Sequence, residues 1–239
     1  MSGLLYATDY RINDYIRIVI PTVGQILEKE EEYYAVLGAV IATPYDYMVQ
    51  LDDMGIDFST INDYELFMLL FNGLKQMDTS LVFGDTDLSN FQAAVNKEND
   101  MPVLVDFNTG AIIDRGIYGR ICKVLCAVNE IRRVDKKPGN DAAKKYMIDR
   151  ARIKQKRAAK KPKRSFLEES ITALVNTEQF KYDYESVRNI TIYQFNSSLH
   201  QIMHKIDFDN LMIGVYAGTV NTKEISSDKL NWIYQKEDF

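Results

Sequence analysis

The sequence predicts an α+β fold that is mostly helical, and three observations carry that expectation. Apolar residues recur at helical spacing in several segments, each opened by a capping residue. Short strand-like runs, bounded by Pro, Asn or Gly, interrupt them only near residues 15–20, 80–83 and 102–113. With 46% apolar residues over 239, the chain can bury a sizeable core.

A strand is expected at Tyr15–Ile20, stopped by Pro21, which cannot donate to a ladder. A short helix through Val23, Ile26 and Leu27 follows, with Pro21 in its first turn. Tyr33–Ala42 is apolar on nearly every side and reads as a buried helix. Thr43, followed by Pro44, is expected to cap a helix reaching Leu51. Asn62 and Glu65 approximate a capping box for a helix that presents Leu66, Leu69, Leu70 and Leu74 to the core. Ser80–Phe83 reads as a strand, and Asp87 caps a short helix through Phe91 and Val95. Pro102–Phe107 and Ala111–Ile113 form a hairpin about Asn108-Thr109-Gly110. Asp114 caps a helix through Ile117, Ile121, Val124, Leu125 and Val128, running to about Val134 before Lys136-Lys137-Pro138-Gly139 breaks it.

Asn140 is expected to cap a basic helix from Asp141 to about Lys161, with a thin stripe of Ala143, Met147, Ala151 and Ala158 interrupted by Lys154. Such a helix buries little, so it should project from the body or pack on a partner. Pro162 ends it. Ser165 with Glu168 and Thr191 with Gln194 open two further helices. The second puts Phe195, Leu199, Ile202, Met203 and Ile206 on one face. A last short helix is expected around Asp228–Tyr234, carrying the lone Trp232. The chain thus divides into a mixed body (1–135), a basic helix and linker (136–164) and a C-terminal helical unit (165–239).

Charge is laid out unevenly. Between Lys144 and Arg164 lie eleven of the 29 bases against one of the 34 acids, so the rest carries 18 bases and 33 acids. Those eleven, Lys144, Lys145, Arg150, Arg152, Lys154, Lys156, Arg157, Lys160, Lys161, Lys163 and Arg164, are the candidate binding residues. Such an arm can bind an external polyanion, lie against the protein's own acidic surface, or engage an acidic partner. Only Tyr146 supplies an aromatic within it, which weakens the case for nucleic acid, where stacking supplements phosphate contact.

Catalytic and metal motifs are scarce. His200 and His204 share the i, i+4 spacing of a zinc pair, but Gln201-Ile202-Met203 lacks the glutamate of H-E-x-x-H. Two surface histidines beside a carboxylate is the better account. Cys122 and Cys126, one turn apart among Ile121, Val124 and Leu125, read as small core residues. The acids Asp52, Asp53 and Asp57 around Gly55, and Asp85-Thr86-Asp87, could hold Mg²⁺, yet their spacing fits no EF-hand and Asp87 already serves as a cap. No cofactor, metal or catalytic residue is expected. No apolar run reaches the roughly 20 residues of a membrane helix, the N-terminus reads as no signal peptide, and two cysteines suit a reducing compartment.

The strings IPTVGQIL, YYAVLGAVIATPYDYMVQLDDMGIDFSTINDYELF, SLVFGDTDLSNF, AAKKYMIDRAR and ALVNTEQFKYDYESVRNITIYQFNSSLHQIM, with LMIGVYAGTVNTKEISSDKLNWI, resemble a family encoded by phages and prophages of low-GC Gram-positive bacteria among their virion-morphogenesis genes. The resemblance spans about Ile20 to Trp232. From Leu167 to Trp232 the chain is also loosely similar to siphophage tail assembly chaperones. The resemblance implies a non-enzymatic morphogenesis protein, acting in tail assembly or as a virion subunit of tail, neck or baseplate. Its implied partners are other phage structural or assembly proteins, a tape-measure or tail tube protein among them, with self-association and no membrane. Its implied location is the host cytoplasm during assembly, or the virion. A nucleic-acid-binding module acting through Lys144–Arg164 is the alternative.

Overall fold

Asn13 makes the turn between the first two strands: its Oδ1 accepts from the N–H groups of Tyr15 and Ile16, at 2.9 and 2.8 Å. That turn joins β1 (Asp9–Arg11) to β2 (Arg17–Val19) as an antiparallel pair with Tyr10 opposite Ile18. The computed structural model describes residues 3–97 and 100–234. The expected strand at 15–20 is therefore β2 at its centre, and its partner β1, polar throughout, carries no strand pattern that a sequence reading would catch.

Helix α1 (Val23–Glu28) opens on a full capping box between Thr22 and Gln25. Pro21 stands before that cap, outside the helix, and its carbonyl accepts from the N–H of Ile192, 2.8 Å away. Helix α2 (Glu30–Ile41) buries Tyr33, Val36, Leu37 and Val40. Thr43 does not cap the next helix. Its N–H and hydroxyl both donate to Asp46, forming a separate turn, and α3 (Met48–Asp53) begins only after Tyr47. Helix α4 (Asp63–Leu74) has the Asn62/Glu65 box, and buries Tyr64, Leu66, Phe67, Phe71 and Leu74. Leu69, expected inside, is 47% exposed, because the aromatic rings set the buried face one step around the helix.

Residues 80–83 are not a strand. Ser80–Phe83 is a single helical turn, α5, begun when Asp78 Oδ1 accepts from the Ser80 N–H (3.0 Å) and ended by Gly84. A four-residue apolar run fits either state by pattern, and β2, which packs against it, has its backbone paired with β1 instead. Asp87 caps only a 3₁₀ turn, Leu88–Asn90; Phe91–Val95 is then a strand, β3, and not a helix. It pairs along β4 (Pro102–Asp106), so partner hydrogen bonds decide the conformation over the i, i+4 spacing of Phe91 and Val95. β5 (Ile112–Ile113) completes a three-stranded antiparallel sheet of order β3-β4-β5, its hairpin turned at Gly110 with φ of 78°. The Tyr64 hydroxyl lies 2.8 Å from the Ile113 carbonyl and 3.1 Å from that of Pro102, tying α4 to the sheet.

Helix α6 (Arg115–Asn129), capped by Asp114, is the central element, burying Tyr118, Ile121, Cys122, Leu125 and Val128. It ends at Asn129, with Glu130 following in a left-handed conformation, five residues short of the expected Val134. The reason lies in tertiary contacts. Arg133 reaches back to the end of α2, donating to the carbonyls of Ile41 (2.7 Å) and Ala42 (3.1 Å) and pairing with Asp63 at 2.6 Å. A guanidinium there satisfies carbonyls that the end of a helix leaves open and complements its dipole.

Helices α7 (Asp141–Ala158), α8 (Phe166–Val175) and α9 (Ile192–Tyr216) follow, capped by Asn140, Ser165 and Thr191. The expected last helix is a 3₁₀ turn, Ser227–Leu230, which ends before Trp232. One cluster of buried apolar residues runs from Leu4 through α2, α4 and α6 to Leu167, Ile171, Phe180, Phe195 and Ile202. The backbone joins its two ends, since Val23 N–H donates to Ile190 O at 2.9 Å beside the Thr22–Thr191 bridge. A second, smaller cluster gathers Met48, Val49, Leu51, Phe58, Leu66 and Ile148 under α3 and α7. The fold is α+β and mostly helical.

Candidate functional site

The basic helix α7 has two faces with different fates. Lys144, Ile148 and Arg152 stand at i, i+4 and i+8, on one side. Ile148, 8% exposed, is the only buried residue of the helix. Lys144 Nζ lies 2.7 Å from Asp57 Oδ2 and 3.0 Å from Asp141 Oδ1. Arg152 Nη2 lies 2.6 Å from both Asp52 Oδ2 and Asp53 Oδ1. The Lys144 hydrogen bond, with Ser59 second, holds the Asp57 carboxyl down to about 2. The acids around Gly55, which sequence spacing left as a possible metal cluster, thus serve as the dock for α7.

Beyond Arg152 the helix is bare. Every residue from Ile153 to Ala158 is exposed, so the expected projection holds for the tip but not for the docked root. Lys145, Lys154, Lys156, Arg157, Lys160 and Lys161 form no ion pair among the described residues. Lys163 reaches Glu31 at 3.0 Å and Arg164 lies 3.6 Å from Glu169, both in solvent. Arg150 sits over the Tyr146 ring, 5.7 Å from its centroid. An open groove of about 1040 Å³ runs along this free face between α7 and the Tyr45–Met48 turn. Tyr45 in this turn and Met48 at the start of α3 carried no functional signal in the sequence, because only the docking of α7 brings them opposite it.

The other candidate surface is the outer half of α9. Its root is held in the core by Phe195 and Ile202, and Leu199 packs against it; Met203 and Ile206, expected on the same buried face, are exposed. From Met203 to Tyr216 no residue is buried, and Ile213 and Tyr216 stand out at 67% and 83% exposure. The chain turns back at Gly218 and runs beside the helix. A Cβ at Gly214 would lie 2.7 Å from Val220, so glycine lets the returning chain approach. Farther along, Gln201 Nε2 donates to Trp232 O (2.9 Å), His204 Nε2 donates to Asn231 O (2.6 Å) and Tyr234 N–H donates to Gln201 Oε1 (2.9 Å).

His204 is therefore a strap anchor. His200 meets the carboxylate of Glu130, whose side chain is only 1% exposed and also accepts from Ser197 Oγ at 2.7 Å. Sequence reading missed Glu130, since nothing in its neighbours marks the left-handed turn that aims it at α9. Among the described residues no group of three or more His, Cys, Asp or Glu is placed to hold a metal ion. Cys122 and Cys126 are free and buried, and burial pushes both thiols up to about 11, which disfavours the thiolate a nucleophile needs. In a polar hollow of about 520 Å³ near β1 and residues 85–91, Arg11 pairs with Asp14 at 2.7 Å, Arg17 lies 3.7 Å from Asp85, and Thr109 donates to Asp106 at 2.7 Å. No helix among the described residues is long and apolar enough to cross a membrane.

Residues 158–235, a third of the chain, match the family model of the YomV second domain. The match begins at the last residue of α7 and takes in α8, the whole of α9 and its returning strap, and it suggests a phage-associated protein. No curated protein and no solved structure matches the chain.

Proposed function

We propose that the chain is a phage morphogenesis protein that acts by binding other assembly proteins, performs no chemical step, and works in tail assembly in the manner of a tail assembly chaperone. The phage association of residues 158–235 supports the setting. The observation that carries the contact role is the outer half of α9, where Met203, Ile206, Ile213 and Tyr216 are exposed on a helix whose root is fixed in the core. Exposed apolar side chains grouped on one element mark interaction surfaces, and an amphipathic helix is a common means of docking. The free cations of α7 supply a second contact of opposite character, suited to an acidic partner surface.

Co-expression with the tape-measure or tail tube protein tests this reading. The wild-type chain is expected to co-purify with one of them, and the double variant Ile213→Asp/Tyr216→Asp to lose it while keeping its thermal stability. Equal retention of both proteins sinks the reading. Proteomics of purified particles separates the two versions of the role: a chaperone is absent from them, and a virion subunit of tail, neck or baseplate is present. A second reading, nucleic-acid binding through Lys144–Arg164, is favoured by the unpaired cations at the tip of α7. It requires a gel shift that weakens steeply with salt and disappears when Lys154, Lys156, Arg157, Lys160 and Lys161 become Gln.

A further inference from the structure

We infer that the groove between α7 and the Tyr45–Met48 turn is a seat for an acidic amphipathic helix of a partner protein. The inference deepens the contact reading above but uses a surface separate from α9.

Arg150, Lys154, Arg157 and Lys161 line this groove, at successive spacings of four, three and four residues. The first three, all on α7, keep helical periodicity and make one stripe about 10 Å long at 1.5 Å per residue, and Lys161, just past the end of the helix, adds a fourth cation beyond it. The apolar wall beside it comes from Met48, Met147, Ala151, Ile153 and Ala158. A partner helix laid along the groove, with carboxylates at the same four-three spacing, sets one opposite each cation of the helical stripe and its apolar face on the methionines. Methionine is flexible and polarisable, and suits grooves that accept varied helices.

The protein's own acids leave the stripe unneutralised. Asp52, Asp53 and Asp57 are spent on Lys144 and Arg152, which lie on the docked side. Asp46, the one acid lining the groove, has its Oδ2 engaged at 2.9 Å by both the N–H and the hydroxyl of Thr43. A nucleic-acid strand would need open aromatic faces for stacking. The Tyr146 ring in the groove instead carries the Arg150 guanidinium. That distinction favours a peptide over a polynucleotide.

The test is fluorescence anisotropy of the full chain at about 0.15 M salt with a labelled synthetic helix of about 18 residues, Glu at four-three spacing and Leu or Met between. Controls are the same composition scrambled, a Glu→Gln version, and single-stranded oligothymidine of about 20 nucleotides. The designed peptide is expected to bind best. Either Lys154→Gln/Arg157→Gln/Lys161→Gln or Ile153→Asp, both at exposed positions, should weaken it about tenfold or more, the equivalent of 1.4 kcal/mol. Equal binding of the scrambled peptide, tighter binding of the oligonucleotide, or no binding by any probe overturns the inference. Peptide binding should survive Ile213→Asp/Tyr216→Asp. Failure in this groove and failure of the α9 contact are therefore separate results.

Discussion

Replacing Ile148 by Ala should release α7 and leave the rest of the fold standing. Ile148 is the sole buried residue of an 18-residue helix, and it belongs to the small cluster under α3, not to the cluster built on α2, α4 and α6. Truncating a buried isoleucine costs about 2–5 kcal/mol. The low end applies because this cluster lies near the surface, where neighbours can close in. About 2 kcal/mol multiplies the population of the undocked helix about 30-fold. A helix of this length with so little apolar surface is marginal once undocked, so its amides should open with it. Hydrogen exchange followed by mass spectrometry reads this directly. Peptides covering residues 141–158 are expected to exchange about 30-fold faster in Ile148→Ala, while those from α2, α4 and α6 keep their protection. Unchanged exchange in α7, or faster exchange spread across the three core helices, would refute the reasoning, since the first means that Ile148 does not hold the helix and the second places it inside the main cooperative unit.

Other consequences can be checked with simpler assays. Phe195, fully buried and set edge-on to Phe180 with ring centroids 6.4 Å apart, joins the root of α9 to the body. Phe195→Ala should cost about 3–5 kcal/mol and lower the melting temperature by about 10 °C; an unshifted melt means that α9 stands outside the common core. Asp57 titrates at about 2 when folded against an ordinary 3.8. Because the folded value is depressed, its contribution to docking is present above about pH 4 and is lost as pH falls towards 2. A carboxyl titration by NMR that centres near 4 contradicts this, and Asp57→Asn should abolish the acid-dependent loosening of α7. The Cys122 and Cys126 thiols, pushed up to about 11 by burial, should resist iodoacetamide at about pH 8 until the protein is denatured. Rapid labelling of the native chain argues against that burial.

Local chemistry was well written in the sequence. Asn62, Asp114, Asn140 and Thr191 each cap the expected helix, because a cap is settled within four residues. Elements whose state depends on a distant partner were not legible. Ser80–Phe83 becomes a helical turn and Phe91–Val95 a strand because of what each packs or pairs with, and neither partner is adjacent in sequence. The early end of α6 likewise reflects Arg133 reaching back to α2. For the candidate surfaces, the eleven cations were visible as a run, but their division was not. Only the fold shows that Lys144 and Arg152 face the acids around Gly55 and that Arg150, Lys154, Arg157 and Lys161 face a groove. On α9, the repeat of apolar residues continued past the point where the body ends, so periodicity alone could not separate buried Ile202 from exposed Met203 and Ile206.

Cross-linking mass spectrometry in cells assembling the phage addresses the contact role most directly. The account predicts links from Lys205 on the outer half of α9 and Lys223 on the returning strap, and from Lys154 on α7 and Lys160 just past its end, to phage tail proteins. Links confined to copies of the chain itself or to host proteins, with none to a phage protein, would contradict it.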